Sequence, residues 1–86
     1  MEDDIVIVGS GAAGITLAME FINSPFKVLL LEAGSKKFDT AAQDTYKGEV
    51  VTPLHHGPLE SYWRKMFGGT TTVWGGRCSP FVPVDF

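Results

Sequence analysis

The sequence predicts an α/β fold: a β-strand, a crossover helix and a second, parallel strand, followed by loop-rich chain. Three observations predict it. The stretches Asp4 to Val8 and Lys27 to Leu31 each carry a short, continuously apolar run. Between them, apolar residues recur at helical spacing. A glycine pattern, Gly9-Ser10-Gly11-Ala12-Ala13-Gly14, joins the first run to that stretch.

Strand one is read as Asp4 to Val8. The turn after it is a G-x-G-x-x-G, in which each glycine has a mechanical task. Gly9 permits the tight exit from the strand. Gly11 has no Cβ, so a pyrophosphate can approach its backbone. Gly14 lets the helix lie close to the strand. The helix is predicted from Ala12 to Asn23, with Ile15, Ala18, Met19 and Ile22 as the stripe that packs on the sheet. Ser24-Pro25 ends it, because proline cannot continue the backbone bonding. Its free N–H groups and the positive end of its dipole aim at the pyrophosphate.

Strand two, Lys27 to Leu31, leads into Glu32. That carboxylate would accept hydrogen bonds from a ribose 2′-hydroxyl and would repel a 2′-phosphate. From Gly14 to Glu32 is 18 residues, near the ~20 that a dinucleotide unit has. A G-x-G-x-x-G alone is a weak signal, and a tight turn with no ligand is the alternative. The strands on both sides and the terminal acid supply the context that favours the dinucleotide reading. Ala33-Gly34-Ser35 is the exit turn.

Ser35 to Leu59 has no strong period. Glu49 to Thr52 has room for a short strand, and Leu59 to Phe67 for a helical turn. Pro53 and Pro58 bracket a loop with His55-His56. Adjacent histidines in a loop point different ways, and no third ligand stands at zinc-site spacing, so no metal site is expected. Asp39 and Asp44 read as solvated charges, and Cys78 as an incidental thiol. A second constellation runs from Arg64 to Pro80. There the pairs Gly68-Gly69 and Gly75-Gly76 flank Thr70, Thr71, Thr72, Val73 and Trp74. The glycines allow close approach of a flat or charged ligand. The hydroxyls could cap a short helix or bond a polar ligand edge. Alone, the segment reads better as a tight loop anchored by a buried tryptophan.

The chain has 86 residues, 20% charged, with a net charge of −3. Nothing in that balance supports nucleic acid or an anionic membrane as a partner. One cysteine excludes an internal disulfide. No apolar run approaches the ~20 residues of a transmembrane helix, and no signal peptide is read. A cytoplasmic location is the expectation. A parallel strand pair needs cover on both faces, yet one crossover helix covers only one. Residues 1–86 therefore read as the N-terminal piece of a larger protein. Its parts are a βαβ unit over 4–32, a loop region over 33–63 and a Gly/Thr-rich segment over 64–80.

Taken together, the two constellations resemble the glucose–methanol–choline family of FAD-dependent oxidoreductases. Gly68-Gly69-Thr70-Thr71 looks like that family's Gly-Gly-Ser/Thr motif along the flavin. Gly75-Gly76-Arg77-Cys78-Ser79-Pro80, with Asp85, looks like its continuation. The resemblance implies a Rossmann-like FAD-binding βαβ unit with an incomplete sheet and a loop-rich flavin-contacting segment. It implies oxidation of CH–OH groups of alcohols or sugars by hydride transfer to flavin, with an electron acceptor as second partner. Gly9, Ser10, Gly11, Ala12, Ala13 and Gly14 would cradle the pyrophosphate, and Glu32 the ribose. Gly69, Thr71, Thr72, Val73 and Trp74 would line the flavin. Arg64 would meet a phosphate or carbonyl, or is a surface charge. Many family members have asparagine or histidine where this chain has Trp74. In the pyranose-oxidase-like branch a histidine holds the flavin covalently at the position of Val73. An isopropyl group has no attachment atom, so non-covalent FAD is expected. No residue matches the family's catalytic pair, and the chain alone is expected to be inactive. The competing readings are an NAD-dependent dehydrogenase segment, which has no use for Gly68 to Gly76, and a truncated product without activity.

Overall fold

A computed structural model describes residues 2–86. The predicted βαβ unit is present as β1 (Ile5–Val8), α1 (Ala12–Glu20) and β2 (Val28–Leu31). The strands run parallel, pairing Ile5 with Val28, Val6 with Leu29, Ile7 with Leu30 and Val8 with Leu31. The Rossmann-like α/β class is thus the observed one. Among the described residues the sheet has these two strands.

Each element is a little shorter than its apolar pattern. Asp4 and Lys27 stand just outside the paired strands, where the Asp4 N–H donates to the Lys27 carbonyl at 2.9 Å and Asp4 Oδ2 accepts from the Lys27 N–H at 2.8 Å. α1 stops at Glu20, three residues before the predicted end. The Phe21 and Ile22 N–H groups bond back to Ala18 and Met19, the tighter spacing that closes many helix C-termini.

The packing face of α1 is narrower than the predicted stripe. Ile15 and Ala18 are half-buried, but Met19 and Ile22 remain 60% and 69% exposed. Ile7 is the buried apolar residue of β1. It faces α1, since a Cβ placed on Gly14 would touch Ile7 Cγ2 at 3.5 Å. That same Cβ would run into the Gly9 carbonyl oxygen. Alternate strand residues point to opposite faces, and Val6 and Val8 are exposed on theirs.

Two features after the βαβ unit escape the sequence patterns. The first is α2 (Thr40–Asp44), capped by Asp39, whose Oδ1 accepts from the Ala41 N–H at 3.1 Å. Asp39 caps this helix while its charge stays exposed to solvent, as expected. Asp44 also faces solvent, in an exposed pair with Lys47. The second feature is Gln43, the buried polar hub of the loop region. Its Nε2 donates to the carbonyls of Glu60 and Trp63, each at 2.6 Å. Its Oε1 accepts from the Lys65 N–H at 3.1 Å. One side chain thus satisfies three backbone groups that would otherwise be left unpaired near the interior.

No strand forms over Glu49 to Thr52. Thr52 is drawn into a turn instead, its carbonyl accepting from the His55 N–H at 3.0 Å. A single 3₁₀ turn, Leu59–Ser61, stands within the predicted helical stretch, and others occupy Gly69–Thr72 and Pro83–Asp85. Among the described residues no helix is long and apolar enough to cross a membrane.

The last segments dock back on the first. Ser35 bridges Met66, with the Phe67 N–H donating to the Ser35 carbonyl at 2.9 Å. Gly34 permits this approach, because a Cβ there would run into the Lys65 carbonyl oxygen. The Gly68 N–H then donates to the Ser10 carbonyl at 2.8 Å. The two constellations, more than fifty residues apart in the chain, meet at that bond.

Candidate dinucleotide site

Gly9 leaves β1 at φ +100°, a conformation that only glycine adopts without strain. The chain then enters α1 through Gly11, extended at φ −77°, ψ −170°. No side chain caps this terminus, and its first turn holds no acidic residue. The leading N–H groups, from Gly11 to Gly14, therefore keep their hydrogen-bonding capacity for a partner outside the helix. A Cβ on Gly11 would meet no protein atom within 4 Å. Nothing in the chain itself fills the space there.

Glu32 stands opposite. Its Oε2 accepts from the Ser10 N–H at 3.0 Å and from the Ser10 hydroxyl at 2.5 Å. Its Oε1 accepts from the Gly34 N–H at 2.8 Å. Burial pushes the carboxyl up. The bonds from the Ser10 hydroxyl and from the Gly34, Ser10 and Ala33 backbone outweigh it and hold it below the usual carboxylate value. Glu32 is thus an ionised acceptor near neutral pH. Ser10 is fully buried, and its N–H and hydroxyl are engaged with Glu32. Each carboxylate oxygen can accept about two bonds, so Oε1 retains capacity for a ligand hydroxyl.

A cleft of about 490 Å³ opens over this loop. It brings Gly9, Ser10, Gly11 and Glu32 together with Arg64 and Gly69 from the second constellation. The size falls within the range of small-molecule sites. Ala12, Ala13 and Gly14 sit in the first turn of α1, beside the cleft rather than in its wall. Thr71, Thr72, Val73 and Trp74 also lie outside the wall. The Thr71 and Thr72 hydroxyls do not cap a helix from in front. They donate back to the carbonyls of Gly68 and Gly69. Trp74 is 47% exposed and is not a buried anchor.

Gly68 and Gly69 both have positive φ, +89° and +57°. They turn the chain so that Gly69 lies against Gly11, where a Cβ on Gly69 would come within 3.1 Å of the Gly11 Cα. Thr70 of the second constellation also lines the cleft, and the cleft gains two walls that sequence reasoning missed, Tyr46 and Trp63. No motif marks the two aromatic residues. They reach the cleft because Gln43 gathers their segments.

Comparisons with known proteins bear on what this cleft holds. Residues 4–43 match the family described as FAD binding domain. FAD is accordingly the cofactor of this βαβ unit. The chain is also 33% identical over 69 residues to lysine-specific histone demethylase 1 homolog 2 of Arabidopsis thaliana. That alignment covers 67% of this chain and 9% of the relative, so the chain spans about a tenth of that protein's length. No solved structure matches significantly. The comparisons bring out an FAD-binding segment and not the glucose–methanol–choline family or its pyranose-oxidase-like branch.

The residues present fit such a group. The uncapped N–H groups of α1, the open space at Gly11 and the ionised Glu32 offer what a pyrophosphate and a ribose require. The matched stretch ends at Gln43. Arg64 and Gly69 enter the site from beyond it.

Proposed function

We propose that this chain is the FAD-binding segment of an oxidoreductase that oxidises CH–OH groups of alcohols or sugars. One observation carries the FAD part of the reading: the Gly/Thr-rich segment docks on the dinucleotide loop through the Gly68–Ser10 bond of 2.8 Å. The CH–OH donor rests on the likeness of Gly68-Gly69-Thr70-Thr71 to the Gly-Gly-Ser/Thr motif of alcohol-oxidising flavoenzymes. An NAD-dependent dehydrogenase would need only the first motif. Here a second glycine turn closes on the same cleft, a wall for which a nicotinamide reading has no use. FAD, when bound, accepts the hydride.

The chain's own residues bind and orient. The first turn of α1, from Gly11 to Gly14, offers N–H groups to the pyrophosphate. The Ser10 N–H acts through Glu32, which it helps to hold in place for the adenosine ribose. Arg64, at the cleft, supplies a cation for a phosphate or a carbonyl. Gly69, Thr71, Thr72, Val73 and Trp74 belong to the flavin side, with no atom at Val73 able to form a covalent link. No residue of this chain is assigned as the catalytic base.

The Arabidopsis relative, by its name a lysine demethylase, favours a second reading in which the donor is a CH–N group. The two readings part in one experiment. The full-length protein is purified, its flavin spectrum recorded, and its bleaching followed without oxygen on adding alcohols and sugars, or methylated lysine peptides and amines. Bleaching by hydroxyl compounds alone is expected. Bleaching by the amine panel alone would overturn the CH–OH assignment, and a colourless protein that takes up no flavin would overturn both readings. Acid precipitation should release the flavin into the supernatant.

Glu32→Ala should weaken FAD binding about tenfold or more. A hydrogen bond to a charged group contributes roughly 1.5–3 kcal/mol, and each 1.4 kcal/mol is about a factor of ten. Equilibrium titration of the apoprotein reads this directly. Unchanged affinity would remove Glu32 from the ribose site.

A further inference from the structure

We propose that Trp63 and Tyr46 form the purine subsite of the cleft, with the Trp63 indole as the stacking platform for the adenine. The proposal rests on the FAD reading above and adds residues that no motif or family match covers. Both residues line the same cleft as Glu32. In an adenosine the base is joined to the carbon next to the one that bears the 2′-hydroxyl. A ribose held at Glu32 therefore carries its base into the neighbouring part of the cleft. Among the described residues, the aromatic ones that line the cleft are Tyr46 and Trp63.

The two rings are held for such a role. Trp63 is 49% exposed, yet its backbone is anchored. Its carbonyl accepts from Gln43 at 2.6 Å, and the Tyr46 N–H donates to the Gln43 carbonyl at 3.1 Å. One buried residue thus fixes both aromatics. The Tyr46 and Trp63 centroids lie 6.4 Å apart at an interplanar angle of 63°, which makes a corner rather than a stack. A flat base can lie on one ring and present its edge to the other.

Tyr46 is the weaker platform. Lys65 Nζ stands 5.3 Å from its centroid and is held there by the Thr45 hydroxyl at 2.6 Å. Trp63 has Tyr62 beside it, with centroids 6.1 Å apart, and Tyr62 in turn lies 4.4 Å from His56.

The test uses the full-length protein freed of flavin, with ADP as the probe and ribose 5-phosphate as the probe without a base. Stacking on an aromatic side chain predicts that Trp63→Ala weakens ADP binding about fivefold to 150-fold. Trp63→Phe should recover most of that loss, and ribose 5-phosphate should bind Trp63→Ala and wild type alike. ADP affinity unchanged in Trp63→Ala, while Glu32→Ala weakens it, would overturn the purine subsite and leave the FAD reading standing. Wild-type protein that binds no ADP would overturn the FAD reading itself. A second measurement needs no variant and so does not depend on Trp63→Ala folding. Irradiation with 8-azido-ADP should label Tyr46 or Trp63, located by mass spectrometry of the peptides. Labelling confined to other residues would overturn the proposal.

Discussion

Gly14→Ala is expected to cost the protein its flavin and much of the stability of this unit. Alanine is the better helix former by about 1 kcal/mol, so propensity alone predicts a gain. Geometry reverses the sign. The new methyl would run into the Gly9 carbonyl oxygen and come within 3.0 Å of the Gly9 carbonyl carbon. Neither atom can give way easily, because Gly9 is backbone and its N–H is bonded to the Leu31 carbonyl at 2.8 Å. α1 would have to lift off β1, uncovering Ile7, the apolar residue most deeply buried here. Overpacking costs about 1–3 kcal/mol and sometimes more, and a contact with rigid backbone belongs at the upper end. A net loss of about 2 kcal/mol is expected after the propensity gain. Thermal denaturation of the apoprotein and the flavin retained on purification both read it. An unchanged melting temperature with full yellow colour would show that α1 does not pack on β1 through Gly14.

How much of this was legible in the sequence depends on how far apart the interacting residues lie. β1, the start of α1 and β2 follow from local patterns, and each stands within a residue of its expected place. The end of α1 does not, because a closing turn with i→i−3 bonds leaves no mark in an apolar pattern that continues to Ile22. α2 had a local signal, Asp39 before Thr40-Ala41-Ala42, but five residues are too few to show a period. The loop region was illegible for a different reason. Gln43 bonds to residues 17, 20 and 22 positions away, and nothing in a polar glutamine marks it as buried. Ser10 and Glu32 were each legible as members of a dinucleotide motif. Their pairing, 22 positions apart, was not, and it redirects the Ser10 N–H from phosphate to carboxylate. Tyr46 and Trp63 enter the cleft only through Gln43, so no reading that misses Gln43 can find them.

Gly11→Ala is expected to separate binding from folding. At this position the chain is extended, φ −77° and ψ −170°, a conformation open to any residue. The added methyl would meet no protein atom within 4 Å. Stability should therefore match wild type, in contrast to Gly14→Ala. The FAD affinity should not. The space that the protein leaves open at Gly11 lies in the cleft wall beside Ser10 and Gly69, where the pyrophosphate has to approach the backbone. A methyl there either displaces the phosphates from the N–H groups of α1 or forces the loop to move. An overpacking cost of about 1–3 kcal/mol corresponds to roughly fivefold to 150-fold weaker binding. The two glycines thus make a matched pair: one methyl, three residues apart, with a stability cost at Gly14 and none at Gly11. Melting temperature and flavin titration of both variants measure it. If Gly11→Ala binds FAD as tightly as wild type while remaining folded, the pyrophosphate does not cross Gly11, and the open space there belongs to no cofactor.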